Sequence, residues 1–453
     1  MPGLTATMWM AAQSLLANQA ALDVTSNNIA NASTPGYSRE QAVLTEGVPV
    51  QDGNINYGSG VVLQQVRSIR DQVLEFRIAQ EMQQQGSAQA QYNALQQVQA
   101  LFSNSTQGIA ANFTAFFNSL NQLSTDPTNI PQRQAVLTAA RNLASSFQQT
   151  EANLNTIRSG LDQSVAQTVS QVNSLTQQIA KLNEQVGEMQ RLGQDPGVLM
   201  DQENSLIHQL SQLTDVSLIQ TEQGLSITTG NGTALVVGGQ SFALQASPNS
   251  AGIQHIYSQG QDITGTFKGG QLAGTLQVRD QAIPGLLSQI DDLASQFASA
   301  VNGAQQNGYD LNGAQGQALF SFTSGAGAAS TLTVAISDPN LIAASSDGSP
   351  GSNGNLANLT AVGTQALPSG SNPVDTYANL VAQAGDSTLQ AKAEVNASTV
   401  SLNQLNDQRG AISGVSIDEE TTNLITYQRA YQAAARVVTT VDQLMQTVLQ
   451  MGA

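Results

Sequence analysis

The sequence predicts a mainly α protein with a β-rich insertion: a nested multidomain chain with paired terminal helices forming a coiled coil, a long helical bundle in the middle and an outer β domain. Three observations predict it. Apolar seams of heptad spacing stand at both ends of the chain, helical stretches far longer than the usual globular helix lie between them, and the pattern changes to period-two alternation at Asp215. With 453 residues, the chain is long enough for several cores.

The first seam runs through Leu4, Met8, Ala11, Leu15, Asn18, Leu22, Thr25 and Ile29, spaced alternately by four and three. Its small and polar members make it weak alone, and an isolated helix of this length is marginal in water, so it needs a partner. A matching seam lies at the other end, where Leu424, Tyr427, Tyr431, Ala434, Val438, Val441, Met445 and Val448 repeat the spacing behind a Ser416 N-cap and the acidic first turn Asp418, Glu419 and Glu420. Periodicity alone leaves open whether the two helices pair with each other or dock separately on a core.

Between them, Ser87 to Leu123 and Arg133 to Leu192 read as long helices separated by "STDPTNIP", and the second carries a seam from Leu161 to Met189. "LGQDPG" ends it, and a short helix covers Val198 to Leu213. From Asp215, β-branched and polar residues alternate around Gly-Asn-Gly and Gly-Gly turns, predicting hairpins that continue to Val278. Helix resumes over Ile283 to Asn302, strand and turn follow from Asn307, and a last long helix spans Tyr377 to Gln408. The domains expected are 1–40 with 416–453 (terminal, helical), 41–214 with 279–308 and 366–415 (helical wall), and 215–278 with 309–365 (outer, β-rich).

Composition narrows the function classes. Charged residues make up 10% of the chain, against ~25% in ordinary soluble proteins, and polarity is carried by Gln, Asn, Ser and Thr instead. The net charge of −17 with few lysines excludes a nucleic-acid surface and disfavours an anionic membrane. No run approaches the ~18 apolar residues of a membrane span, so no membrane insertion is expected. The chain has no cysteine, which removes disulfides, thiolate metal sites and Cys nucleophiles and suits an exported protein. Its first residues lack the basic n-region and unbroken apolar core of a cleaved signal peptide.

Candidates for chemistry are sparse. His208 and His255 stand in segments of different type with no carboxylate-rich cluster near them in sequence, so no metal site is expected. "GNGTALVVGG" and "GGQLAG" lack the strand-to-helix context and the Lys of a phosphate loop. The Asp291-Asp292 and Asp418–Glu420 runs are adjacent acids, not carboxylates converging from separate elements. No Gly-x-Ser-x-Gly elbow occurs. Neither a catalytic residue nor a cofactor site is therefore assigned, and abundant seams point to association.

The densest motif is "SNNIANASTPGYSRE", Ser26 to Glu40. Asn28 and Asn31 tolerate a left-handed helix end, Pro35 pushes Thr34 out of the α region, Pro35-Gly36 fits the centre of a type II turn and Tyr37 can anchor the emerging chain. An ordinary helix-turn junction would need only two or three of these residues. "LDVTSNNIANASTPGYSRE" resembles the N-terminal motif of the bacterial flagellar axial proteins of rod, hook and hook-associated type. "GVSIDEETTNLITYQRAYQAAARVVTTVDQLMQTVL" is similar to the hook-associated protein 1 branch, as are "QIAKLNEQV", "GGQLAGTLQVRDQAIPGLLSQIDDLA" and "NGYDLNGAQGQALF".

The resemblance implies a structural protein, exported without signal cleavage, that self-associates in a tubular layer at the hook–filament junction. Hook protein would lie below it and a second hook-associated junction protein above, and a cytoplasmic export chaperone would hold the C-terminal helix. Asn27, Asn28, Ile29, Asn31, Thr34, Pro35, Gly36 and Tyr37 form the implied assembly motif. The alternative is another axial rod or hook subunit, which shares the terminal motif but usually lacks the long helical middle. One departure stands out: where the family tends to carry Asp-x-Arg-Asp after the long helix, this chain has Asp201-Gln202-Glu203-Asn204, so a salt bridge from that Arg is not expected.

Overall fold

The computed structural model describes residues 2–52, 55–103, 108–221, 224–323 and 327–451. Eleven α-helices are found among them: α1 (Pro2–Ala30), α2 (Gln72–Ser103), α3 (Ile109–Leu123), α4 (Ile130–Arg191), α5 (Gly197–Leu213), α6 (Gly270–Gln277), α7 (Ile283–Gln306), α8 (Ala328–Thr331), α9 (Gly354–Ala361), α10 (Pro373–Ser413) and α11 (Ile417–Met451). Local chemistry sets several boundaries. Asn129 accepts from Gln132 N ahead of α4 and Asn372 from Asp375 N ahead of α10, each with a proline in the first helical positions.

The terminal helices pack together, and since the end of α1 meets the start of α11 they run antiparallel. Strands β1 (Glu40–Glu46) and β4 (Val61–Ser68) form an antiparallel ribbon against α1, with a bulge between Val43 and Leu44. A second pair, β2 (Val50–Asp52) and β3 (Ile55–Tyr57), extends that hairpin. This ribbon lies in a segment expected to belong to the helical wall, and its alternation is diluted by three glutamines in the two long strands, Gln41, Gln64 and Gln65.

Two large cores share the helices. The first gathers the end of α2, α3, the first half of α4, α7, α9 and the start of α10 around a nest of edge-to-face rings, with Phe113 and Phe297 centroids 4.9 Å apart. The second gathers Val165–Ala180 of α4, α5 and α6 against two antiparallel sheets. These are a four-stranded sheet of β5 (Ser217–Thr221), β6 (Gly224–Thr228), β7 (Ala234–Val237) and β8 (Gln240–Ser241), and a three-stranded one of β9 (Gln245–Pro248), β10 (Gln254–Ser258) and β11 (Gln261–Asp262). A small third cluster joins Leu74 and Ile78 of α2 to Leu402 and Leu405 of α10.

The structure corrects several expectations. The helix read from Ser87 begins at Gln72 and is interrupted before α3, with residues 104–107 outside those described. "GGQLAGTLQ" is the helix α6, not strand: Leu272, Ala273 and Leu276 face the second core, and Gly274 lets α6 press on α2, since a Cβ there would stand 2.2 Å from Ser87 O. Residues 309–365 do not join the β-rich segment 215–278. Their apolar side chains, from Leu319 and Phe320 to Leu359, fill the first core, and their strands shrink to the two-residue pair β12 (Phe320–Ser321) and β13 (Thr333–Val334). The histidines do have carboxylate neighbours, one each: His208 Nε2 lies 3.1 Å from Glu75 and His255 Nδ1 2.6 Å from Asp262. Glu75 is distant in sequence and arrives by folding.

One device recurs at several places where helix meets extended chain. A helical amide side chain donates its N–H to the carbonyl of an extended residue and accepts from that residue's own N–H, as a neighbouring strand would. Asn173 does this to Leu244 at 2.8 Å both ways and Asn302 to Phe320 at 2.8 Å both ways. Asn183 holds Leu225 the same way, and Gln305 holds Leu341 and Ala343. Buried Arg133 serves a related purpose, donating to the carbonyls of Pro127 and Ile342.

Where the two cores meet, Arg279 sits in a single π turn, Val278–Ala282, between α6 and α7. It is 1% exposed and donates to Asp162 of α4, to both carboxylate oxygens of Asp280 and to Gln254 O of β10. Removing one member of such a buried set leaves uncompensated charge. Arg279→Met should therefore cost about 3 kcal/mol in chemical denaturation. A cost below ~1 kcal/mol would show the waist to be held by apolar packing instead.

Candidate functional site

The terminal motif is where the α1/α11 pair joins the rest of the molecule. After α1 the chain makes two tight turns, with Thr34 N donating to Asn31 O at 2.9 Å and Tyr37 N to Thr34 O at 3.2 Å. Pro35 and Gly36 form the centre of the second turn, and Gly36 takes φ +84°, the left-handed region a type II turn requires. Along the exposed edge, Asn31 donates to Asn27 Oδ1, Thr34 Oγ1 donates to Asn31 Oδ1, and Asn27 reaches toward Glu40 Oε2 at 3.3 Å; Ile29 is half-buried.

Asn28 is the centre of the junction. It is 1% exposed and uses its full bonding capacity. Its Nδ2 donates to Glu40 O at 2.8 Å and to Glu420 Oε2 at 3.2 Å, and its Oδ1 accepts from Glu40 N at 2.9 Å and from the Tyr37 hydroxyl at 2.8 Å. Burial, then the carboxylates of Glu40, Asp201 and Glu420, raise the Tyr37 phenol, which keeps it a donor.

Around Asn28 stands a ring of ion pairs that joins five elements. Arg39 donates to Glu420 at 2.7 Å and in a two-point contact to Glu419 at 2.8 and 3.2 Å, while its N–H donates to Ser413 O at the end of α10. Ser38 donates through N and Oγ to the two oxygens of Asp201 on α5, and Arg70 pairs with Asp201 at 2.8 Å and donates to Gly197 O. Arg409 of α10 donates to Gly36 O at 2.8 Å and to Glu75 at the head of α2. Burial works to raise the Glu75 carboxyl, but His208 and Arg409 outweigh it and hold it below its ordinary value. The cation absent from Asp201–Asn204 in sequence thus reaches Asp201 as Arg70, from another element.

Glu203, two residues further along α5, has no such partner. It is 6% exposed beside a cavity of about 50 Å³, its Oε1 accepts no hydrogen bond from the described residues, and burial, only partly offset by Arg70, pushes its carboxyl up to about 7.

The seam residues divide. On α11, Val441 is buried, Leu424, Tyr427, Val438, Met445 and Val448 are half-buried, and Tyr431 lies at the exposed edge. On α1, Leu4, Leu15 and Leu22 are half-buried and Met8 is exposed, whereas the buried line is Ala11, Ala17, Ala21, Thr25 and Asn28. Two neighbours, α11 and the β1/β4 ribbon, cover α1, so its most buried positions are small residues between them.

Comparison with known proteins follows from this architecture. Residues 95–320 match the family model "Flagellar hook-associated protein FlgK helical domain", residues 10–37 match "Flagella basal body rod protein" and residues 408–451 match "Flagellar basal body rod FlgEFG protein C-terminal". The chain is 29% identical to flagellar hook-associated protein 1 of Bacillus subtilis (strain 168), covering 97% of this chain and 96% of that one. The chain belongs to the flagellar hook-associated protein 1 family. A second member, from Escherichia coli (strain K12), is 25% identical over 96% of this chain and 97% of its own. The family fold is seen in the flagellar hook junction protein FlgK from Burkholderia pseudomallei, which aligns with TM-score 0.67 at 18% identity over 74% of this chain and all of that one.

Sequence reasoning singled out the motif but missed Arg39, Arg70, Asp201 and Arg409 as its partners. Few arginines occur in a chain so poor in charge, and that scarcity was the available signal.

Two outcomes are expected here. No atom lies within 4 Å of a Cβ built on Gly36, so Gly36→Val meets backbone strain alone and should cost ~1–3 kcal/mol; a larger loss would mean that Arg409 also lets go. For Glu203 the folded carboxyl lies above its ordinary value of 4.5, so the folded state holds the extra proton and stability falls as pH rises from 4.5 to about 7. Glu203→Gln should remove that slope and gain up to about 3 kcal/mol at pH 8, read from melting curves at pH 5 and pH 8.

Proposed function

We propose that this chain is a structural subunit of the hook–filament junction, copies of which self-associate in a tubular layer on the hook tip. Hook protein lies below the layer and a second hook-associated junction protein above it. One observation carries the reading: the paired terminal helices, which leave large apolar side chains in water, are locked to the body by the Asn28-centred junction. A pair that is fixed in angle yet apolar outside is suited to packing against further copies. The helical domain matched over residues 95–320 favours the junction over a rod or hook position.

The family is structural, and the role proposed requires no catalysis. The chain reaches the outside of the cell through the flagellar export route without loss of a signal segment, and before export a cytoplasmic chaperone covers the apolar face of α11. No described helix is long and apolar enough to cross a membrane.

The test is complementation. In cells lacking this chain, hooks should form while filament protein is shed to the medium, and supplying the chain should restore filaments and place the tagged protein at hook tips. Asn28→Ala leaves the peptide of Glu40 and a buried carboxylate oxygen unpaired. It should be secreted at the wild-type level yet retained poorly. Equal retention would show that the junction does not set assembly geometry.

A further inference from the structure

The turn that carries the terminal pair is fastened to the body on two sides. On one, Gly36 O accepts from Arg409 of α10, and on the other Ser38 is bonded through N and Oγ to Asp201 of α5. The α5 side depends on Arg70. Its Nε and Nη2 bond Asp201 Oδ1 at 3.1 and 2.8 Å, Nε also donates to Ser38 Oγ at 3.2 Å, and Nη2 donates to Gly197 O, so Nη1 takes no part in these bonds.

Arg70 also stands in the wall of the cavity of about 50 Å³ that holds Glu203. Two residues apart on a helix, Asp201 and Glu203 point about 160° away from each other. Asp201 lines the open groove beside the terminal turn, and its side chain is 13% exposed. Glu203 is 6% exposed, with an Oε1 that accepts no hydrogen bond from the described residues. One guanidinium therefore borders two carboxyl groups of unequal access to water.

The other charged groups nearby are engaged elsewhere. Glu75 of α2 is paired with Arg409 and with His208 of α5, and Glu40, on the terminal side of Arg70, accepts from Asn27. β5 and β6 bring only Leu218, Gln220 and Leu225 to the cavity, and Lys181 of α4 faces the groove on the opposite side of α5. With its proton on, Glu203 makes no claim on Arg70. Without it, a buried anion lacks a partner, which costs far more than an anion that water can reach. Asp201 can exchange its arginine for water from the groove, and Glu203 cannot. Burial places this change at about pH 7.

We infer that Glu203 is a proton-controlled catch: when it ionises, Arg70 swings from Asp201 into the cavity, Ser38 comes loose, and the terminal pair pivots on its remaining attachment to α10. The inference concerns the single chain, and the junction reading stands or falls separately from it.

A chain without cysteine takes labels only where they are placed. Spin labels on Gln19→Cys of α1 and Glu188→Cys of α4, both exposed positions, report the angle between the terminal pair and α4 in the purified full-length chain. Their distance distribution should be narrow at pH 5.5 and broadened or displaced at pH 8.5, with a midpoint near 7. Hydrogen exchange at the Ser38 amide, corrected for its intrinsic pH dependence, should rise with the same midpoint. Glu203→Gln, of the same shape and permanently neutral, should stay narrow and protected at both pH values, while His208→Gln should switch as the wild type does. A wild-type distribution unchanged between the two pH values would overturn the inference. So would a switch that persists in Glu203→Gln or one that vanishes in His208→Gln, since the catch would then be another group.

Discussion

The structure depends on an amide side chain acting in place of a β-strand. Where a helix must hold extended chain, it offers the side chain of Asn or Gln, whose N–H and C=O pair with the peptide groups of the extended residue. Such a bracket satisfies backbone groups that burial would otherwise strand at a cost of ~1–3 kcal/mol each. It also fixes register, since the two bonds engage at one residue. Asn28 does it to Glu40 at the terminal junction, Asn173 and Asn183 to the sheet-bearing part, and Asn302 to Phe320 in the first core. An amide-rich, charge-poor composition is what a fold joined in this manner requires.

Charge is then concentrated at a few joints. Of the eight ion pairs found among the described residues, those of Arg39, Arg70 and Arg409 ring the terminal junction and those of Arg279 occupy the waist between the two cores. Arginine suits these places because its planar fork reaches two acceptors at once. Hydrophobic packing supplies the mass of each core, while the arginines settle how one part meets the next.

What the sequence made legible follows from range. The long helices were readable because α4 and α10 carry repeated apolar positions, but their starts were set at Arg133 and Tyr377, past the caps Asn129 and Asn372 that open them. The C-terminal seam was readable for the same reason, whereas the N-terminal one was displaced because two partners compete for α1. The motif from Asn27 to Tyr37 announced a specialised turn, yet its partners lie far off in the chain, and periodicity carries no information about which distant arginine arrives. α6 was misread because glycine suggests turns, when Gly274 in fact permits contact between two helix backbones. The ribbon of residues 40–68 escaped because half-exposed strands rich in Gln lack strict alternation.

α4 is 62 residues in one unbroken helix, a rod of about 93 Å, and both cores are built on it. Neither core owns the helix. Melting one of them would strip half of the rod of its apolar cover, and a bare segment of that composition does not hold its shape in water. The two therefore stand or fall together in cooperative unfolding, although they lie end to end with little direct apolar contact. A subunit of this design has no weak joint at its middle, and what compliance it possesses is displaced to its ends.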